Sequence, residues 1–310
     1  NDCDGVDGLV CEGDRNEVTA AGCSRITGNL SIEDDSSTQL DTLQIVDGDI
    51  TGGPYSLVAR RLHTVGGSID FSHAEELYIL TLGALTTVGG DVNITSSYWM
   101  EMELDSLETV GGDLILDDLG IYEISMEQLT SVGGDMALTT LYYMEVLSLP
   151  VLHTVGGKAS IHNNNYIRTL NMDALESVGD ELSVAQNERL RESSFDALES
   201  LPSLFLYFNQ ALIDPTFSAL ETVDGDVTIS NNSILKTIDF PVLSSIAGSL
   251  YVERNTNEFD TVSMDNLSTI GGNITFTDNP QMTLVSFPGL TTVAGDILIY
   301  GSSDGGDNPA

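Results

Sequence analysis

Apolar and polar residues follow one repeated pattern along nearly the whole chain, Leu-x-x-Val-x-Gly-x-Φ-x-Φ, where Φ is an apolar residue. One copy runs from Leu85 to Ile94, and the last runs from Leu290 to Ile299. Thirteen copies follow one another at spacings of 19 to 24 residues, mostly 22 or 23. A period in this range predicts one supersecondary unit per repeat, stacked so that neighbours bury each other's apolar faces. The Val position, here called the marker, is occupied by Ile26, Val46, Val65, Val88, Val110, Val132, Val155, Val178, Leu201, Val223, Ile246, Ile270 and Val293.

Within one repeat the apolar residues have the spacing of strands. Counted from Val155 as position zero, Ala159 and Ile161 stand at +4 and +6, and Leu170 and Met172 stand at +15 and +17. This two-residue period is typical of strands with one buried face, and no stretch has the spacing of an amphipathic helix. The pattern predicts an all-β fold, a right-handed parallel β-solenoid of about thirteen turns of 22–23 residues.

The repeat also predicts the domain organisation. Residues 23–300 form the β-solenoid domain, preceded by a cysteine-containing acidic amino-terminal cap or leader over residues 1–22. Residues 301–310 are rich in Gly, Ser and Asp and are expected to be a flexible tail. Because the chain begins at Asn1 without Met, we expect a processed extracellular product.

Two further columns have structural interpretations. Glycines at +1 and +2, such as Gly156 and Gly157, are expected to relax the backbone where one strand bends into the next. Asparagine at +9 is expected to tie adjacent turns together, because its amide both donates and accepts. Asn209 keeps this position only if one glycine is deleted from its turn, between Leu201 and Leu204. The asparagine column comprises Asn164, Asn187, Asn209, Asn232, Asn255 and Asn279.

The segment from Cys23 to Ile32, with the following Val-Gly-Gly-Asp-Φ-x-Φ and Asn-x-x-Leu elements, resembles the receptor L-domain family. That family is a leucine-rich-repeat-like β-helix, and the chain is most similar to its cell-surface branch with longer repeat arrays. The resemblance spans about residues 23–300. It implies an extracellular, non-enzymatic module for binding or wall structure, and it supplies no catalytic motif. Thirteen turns exceed the usual receptor domain, so growth-factor binding is not implied.

The net charge of the chain argues against some classes of partner. The 48 acidic and 10 basic residues give a net charge of −38, which repels nucleic acids and anionic membranes. No apolar run approaches the roughly 20 residues of a membrane helix, so we expect no membrane insertion. Such a surface suits salty or calcium-rich surroundings, where screening reduces self-repulsion.

The amino-terminal segment carries two candidate chemistries. Cys3, Cys11 and Cys23 precede the first predicted strand and indicate a disulfide-stapled cap in an oxidising compartment, with the pairing open. Three thiols leave one free or joined to another chain. Asp2, Asp4 and Asp7 surround a glycine with the spacing of an oxygen-ligand calcium loop, although the full EF-hand pattern is absent. The alternative is a solvated acidic leader that binds no metal.

An acidic column stands at +3, where carboxylates of successive turns are expected to lie about 5 Å apart. It could be bridged by cations, but Asp commonly accepts backbone hydrogen bonds at turns, and Lys158 interrupts the column. We therefore favour the structural interpretation. The charged members are Asp91, Asp113, Asp135, Lys158, Glu181, Asp226 and Asp296.

Aromatic residues give the best candidate for a contact surface. Position +11 is expected to point outward, because the residues at +12 are expected to be buried. Tyr122 is one of these +12 residues. An apolar band on an acidic surface is typical of an interaction site, but the same residues could fill the corner that asparagine fills elsewhere. The predicted partner-binding residues are Trp99, Ile121, Tyr143 and Tyr166 at +11, with Tyr98 and Tyr142 beside them at +10.

The function expected from these features is a structural or adhesive cell-surface or matrix role through protein–protein contacts. One alternative is a filament, in which the strand at Ile297 and Ile299 meets the turn built on Ile26, Leu30 and Ile32 of another copy. Another is a glycan- or calcium-binding recognition module. A polysaccharide-cleaving β-helix enzyme is disfavoured, because the acids are spread around every turn and no histidine lies in a metal or nucleophile motif.

Overall fold

The computed structural model describes residues 8–300, and at residues 96–99 it describes the backbone but not the side chains. The chain forms a β-solenoid of stacked parallel strands with almost no helix. It divides into two compact units, one up to Met144 and one from Glu145 onwards. From Cys23 onwards, each turn contains a first strand that ends at the marker and a second strand, which is the longer of the two from Ile50–Gly52 onwards. Most turns also contain a short third strand.

The strands of the first unit fall into three parallel sheets. A short helix, Glu17–Ala20, follows the earliest second strand. The first strands are Leu9–Cys11, Cys23–Ile26, Ile45–Val46, Thr64–Val65, Thr87–Val88, Thr109–Val110 and Ser131–Val132. The second strands are Arg15–Asn16, Leu30–Ile32, Ile50–Gly52, Ile69–Phe71, Val92–Trp99, Leu114–Gly120 and Met136–Tyr142. The third strands are Ser37–Gln39, Ser56–Val58, Ile79–Thr81 and Glu101–Glu103.

The second unit repeats this arrangement. Its first strands are Thr154–Val155, Ser177–Val178, Ser200–Leu201, Thr222–Val223, Ser245–Ile246, Thr269–Ile270 and Thr292–Val293. The second strands are Ala159–His162, Glu181–Ala185, Ser203–Tyr207, Val227–Ser230, Leu250–Glu253, Ile274–Thr277 and Ile297–Ile299. The third strands are Val146–Ser148, Thr169–Asn171, Glu192–Ser194, Thr237–Asp239, Thr261–Ser263 and Leu284–Ser286.

The predicted register and core are confirmed. All thirteen markers are the last residue of a first strand. In the turn that begins at Val155, the predicted inward residues Ala159, Ile161, Leu170 and Met172 are fully buried. Each apolar column therefore continues from turn to turn, which removes from water a surface that a single turn could not cover alone.

The glycines have a different role from the predicted one. None of the +1 and +2 glycines has a positive φ, so a relaxed bend is not the reason for them. A Cβ at Gly111 or Gly133 would collide with the carbonyl oxygen of the +1 residue in the preceding turn. A Cβ at Gly112 would collide with the carboxylate of Asp91. Glycine is present because adjacent backbones approach closely at this corner.

The asparagine column forms a buried ladder in the second unit. Each of the six side chains is at most 1% exposed. The amide oxygen of Asn232 accepts from the backbone N–H of Asn209 at 3.0 Å, and its amide nitrogen donates to the carbonyl of Leu206 at 2.9 Å. Asn209 occupies its rung because Ser203 pairs with Glu181 and Leu204 with Leu182, which confirms the one-residue deletion.

The residue just before each asparagine adopts the left-handed conformation, which turns the chain out of the second strand. Short polar side chains favour this conformation because they tolerate positive φ, whereas bulky ones are strained there. Phe208 and Arg254 are the large residues in this column. The column comprises Asn163, Gln186, Phe208, Asn231, Arg254 and Asp278, with φ between 55° and 58°.

The acidic +3 column also accepts backbone hydrogen bonds, as the structural interpretation predicts. The carboxylate of Asp91 accepts from the backbone N–H of Asp113 at 2.8 Å, and that of Asp113 accepts from Asp135 at 2.7 Å. In the second unit, Asp226 accepts in the same way from Ser249 at 2.7 Å. These hydrogen bonds join adjacent turns.

The amino-terminal segment is a partial turn of the solenoid. Strand Leu9–Cys11 pairs with Cys23–Ile26, and Arg15–Asn16 pairs with Leu30–Ile32. Cys11 and Cys23 form a disulfide, with Cα atoms 5.9 Å apart, while Cys3 lies outside the described residues. The expectation that the cysteines precede the first strand is wrong, since Cys11 and Cys23 both lie within strands. Of the residues predicted to meet another copy, Ile26 and Leu30 are already paired on this side, with Cys11 and Arg15.

Candidate functional site

Three tyrosines of the first unit form an exposed cluster at the carboxyl-terminal ends of the second strands. Tyr122 is 57% exposed, Tyr142 is 43% exposed and Tyr143 is 37% exposed. The rings of Tyr122 and Tyr143 stack with centroids 5.2 Å apart, and Tyr142 contacts Tyr143 at 6.3 Å. The three tyrosine rings therefore contact one another while remaining exposed to solvent.

Two of the predictions about this corner are wrong. Ile121, predicted to face outward, is fully buried, and Tyr122, predicted to be buried, is exposed. The register pairs Gly120 with Tyr142, which places Ile121 opposite Tyr143. Tyr143 has a φ of 73°, which directs its side chain outward, whereas Ile121 is not among the residues with a positive φ. The side chains of Tyr98 and Trp99 lie outside the described residues.

A second exposed pair lies in earlier turns of the same unit. Tyr55 and Tyr78 each stand immediately before a third strand, and their rings stack at 5.7 Å. They are 41% and 40% exposed. The repeat could have indicated this pair, because both tyrosines have the same position relative to a third strand. We call Tyr55, Tyr78, Tyr122, Tyr142 and Tyr143 the tyrosine edge, since Tyr142 ends the second strand of its turn and the other four follow theirs.

The pKa of Tyr142 is raised by its surroundings, which include an acidic neighbour. Desolvation raises the pKa of Tyr142, and the charge of Asp118 and a hydrogen bond to its carboxylate raise it further. The surroundings therefore favour the protonated hydroxyl over the phenolate. Asp118 is itself in the left-handed conformation, with a φ of 58°. The tyrosine edge thus combines apolar ring faces with a local negative charge.

In the second unit the corresponding corner carries cations. Tyr166 is 36% exposed, and the guanidinium of Arg189 lies 4.6 Å from the centre of its ring. This distance is within the range of a cation–π interaction. The predicted outward position of Tyr166 is therefore present, but its accessible ring is occupied by an arginine of the same unit.

One histidine–serine pair was not predicted, and its geometry does not suit catalysis. Nε2 of His162 lies 2.8 Å from Oγ of Ser183, but Ser183 is only 2% exposed. Burial lowers the pKa of His162, although the nearby Glu181 carboxylate and a hydrogen bond with Ser183 act in the opposite direction. A nucleophile must reach a substrate, and the hydroxyl of Ser183 is closed off from solvent.

The metal and membrane features can be placed only in part. The predicted calcium ligands Asp2, Asp4 and Asp7 lie outside the described residues. Over residues 8–300, no group of three His, Cys, Asp or Glu side chains is arranged to hold a metal ion. In the same range there is no helix with the length and apolar character needed to cross a membrane.

No protein-family model matches the chain, and no curated protein matches its sequence.

Proposed function

We propose that this chain is a non-enzymatic β-solenoid that binds a positively charged protein surface through its tyrosine edge, in an extracellular or cell-surface setting. The observation that carries the proposal is the stacking of Tyr122, Tyr142 and Tyr143 in exposed positions. Aromatic residues are enriched at the centres of protein interfaces, where they bury a large area with few rotatable bonds.

Charge supports the choice of partner. The chain has a net charge of −38, so a basic surface is attracted at long range, whereas an acidic one is repelled. Tyrosine rings attract guanidinium and ammonium groups through their faces, and Asp118 adds a carboxylate beside Tyr142. The edge therefore suits arginine-rich and lysine-rich segments better than neutral ligands.

Two further features support the setting and the absence of catalysis. The Cys11–Cys23 disulfide is typical of proteins from oxidising compartments. Ser183, the hydroxyl paired with a histidine, is buried. The Val-Gly-Gly-Asp repeats resemble those of the receptor L-domain family. This resemblance also supports an extracellular, non-enzymatic role.

The test uses an arginine-rich peptide as a probe for the partner surface. Fluorescence anisotropy of the labelled peptide should show salt-sensitive binding to the parent chain. A variant with Tyr122→Ser, Tyr142→Ser and Tyr143→Ser should bind roughly tenfold or more weakly, because three aromatic contacts are lost. Its thermal midpoint should stay close to that of the parent, since all three rings are substantially exposed.

The matched control is Tyr251→Ser, in a second strand of the other unit, which should leave peptide binding unchanged. Equal binding by the parent and the triple variant would contradict the proposal. Binding of a neutral oligosaccharide without binding of the peptide would instead favour the glycan alternative.

A further inference from the structure

Three arginines of the second unit surround one cavity. Arg168, Arg189 and Arg191 line a cavity of about 250 Å³ together with Ala211. The chain has only 10 basic residues against 48 acidic ones. Three arginines around one opening are therefore unusual in this acidic protein. The opening is small by comparison with ligand pockets of about 300–1,000 Å³, so it suits a single small group.

The repeat explains how this cluster is built. The backbone N–H of Arg191 donates to the carbonyl of Arg168 at 2.9 Å, so the two residues occupy neighbouring rungs of one column. Arg189 stands two residues before Arg191, and Ala211 occupies the equivalent position in the next turn. The single methyl group of Ala211 leaves the space that a larger side chain would fill.

The positive charges of this cluster are only partly balanced. Arg168 has a carboxylate partner, Glu145, at 3.8 Å, but both side chains are more than half exposed and the pair is weak. Arg189 lies over the ring of Tyr166, which fixes the guanidinium without neutralising it. Over residues 8–300, no carboxylate lies within ion-pair distance of Arg189 or Arg191. Like charges on neighbouring rungs repel each other, so the cluster would be stabilised by an anion.

We infer that Arg168, Arg189 and Arg191 form a binding site for a tetrahedral oxyanion, a phosphate or sulfate group. Guanidinium groups donate paired hydrogen bonds to oxyanions, and such a group offers at least three acceptor oxygens for three donors. The net charge of the chain does not prevent this, because salt screens distant charges beyond about 8 Å under physiological conditions. The site lies in the second unit and is independent of the tyrosine edge.

The test is calorimetric titration with sodium phosphate and with sodium sulfate, in sodium chloride of matched ionic strength. The parent should give saturable heat for one site. Arg189→Gln and Arg191→Gln should each weaken binding by roughly tenfold or more, because each removes a charge-assisted donor. Melting in chloride should be unchanged in both variants, since the side chains are exposed.

Arg254→Gln is the matched control, because it removes the same charge from an exposed arginine of the same unit. Arg254 pairs with Asp278 and does not line the cavity. It should change the affinity less than about twofold, as expected for a remote charge in screening salt. A parent chain without saturable heat would overturn the inference. An equal loss of affinity in Arg254→Gln and Arg191→Gln would also overturn it, since only bulk charge would then matter.

The source of the oxyanion is decided by a second pair of probes. Dextran sulfate presents sulfate esters on a polymer, and unmodified dextran is its neutral control. Binding of dextran sulfate that falls with Arg191→Gln and exceeds that of inorganic sulfate would assign the site to a sulfated polymer. Binding of the inorganic ions alone would assign it to a free anion. Binding of dextran sulfate that is insensitive to Arg191→Gln would count against the site.

Discussion

Asn232 is fully buried, and its amide connects three turns of the second unit. Replacement by Ala would leave the backbone N–H of Asn209 and the carbonyl of Leu206 without the partners they have now. Each buried group left without a hydrogen bond costs about 1–3 kcal/mol, so Asn232→Ala should lower the free energy of unfolding by about 2–4 kcal/mol.

Urea unfolding of the two chains measures this difference. Asn257→Ala is the control, because Asn257 lies on the surface of the same unit and should cost less than about 0.5 kcal/mol. Similar midpoints for Asn232→Ala and Asn257→Ala would mean that the ladder adds no stability.

At the residue scale, the repeated columns of one residue type could be predicted from the sequence. The side-chain directions at the corners between strands could not. The asparagine and +3 columns could be read because one residue type recurs at one spacing, and backbone groups of adjacent turns need partners there. The exchange of Ile121 and Tyr122 could not be read, because it depends on the φ of single residues such as Tyr143. The three-arginine cavity could not be read either, because Arg168, Arg189 and Arg191 come together from two adjacent turns.

At the element scale, the close approach of adjacent first strands makes a strong prediction. A methyl group at Gly133 would collide with the carbonyl of Gly111, so Gly133→Ala should lower the free energy of unfolding by about 1–3 kcal/mol. Ala247 occupies the same position in the second unit, which shows that the backbone can move enough to avoid complete unfolding.

Gly83→Ala serves as the control in chemical denaturation. At Gly83 the nearest atom to an added Cβ is a carboxylate oxygen of Glu103 at 3.7 Å, which is ordinary contact. We expect a change below about 0.5 kcal/mol there. If both substitutions cost the same, the close approach to Gly111 would not explain the glycine at position 133.

The strand elements themselves could be predicted because the marker period is nearly unbroken. The partial turn at Leu9–Cys11 and Arg15–Asn16 could not, because residues 1–22 contain no copy of the repeat. The following helix, Glu17–Ala20, is only 4 residues long and is held by a capping box between Asn16 and Thr19. A helix this short leaves no apolar period to detect.

At the scale of the whole molecule, the charge of −38 should make stability depend on salt. The hydrogen bonds at Asp91 and Asp113 join the turns but leave both carboxylates negatively charged, so neighbouring acids in the column still repel. Screening shortens the range of this repulsion from about 30 Å at 0.01 M salt to about 3 Å at 1 M. The midpoint of thermal unfolding should therefore rise steadily with sodium chloride concentration.

A charge-reduced chain separates repulsion from other effects of salt. Glu75→Gln, Glu76→Gln and Glu127→Gln together change the net charge from −38 to −35, and all three side chains are exposed. This variant should melt higher than the parent in low salt and gain less from added salt, because less repulsion remains to be screened. An equal gain in both chains would mean that salt acts on apolar burial, which sodium chloride also strengthens, and that the acidic surface costs the fold little.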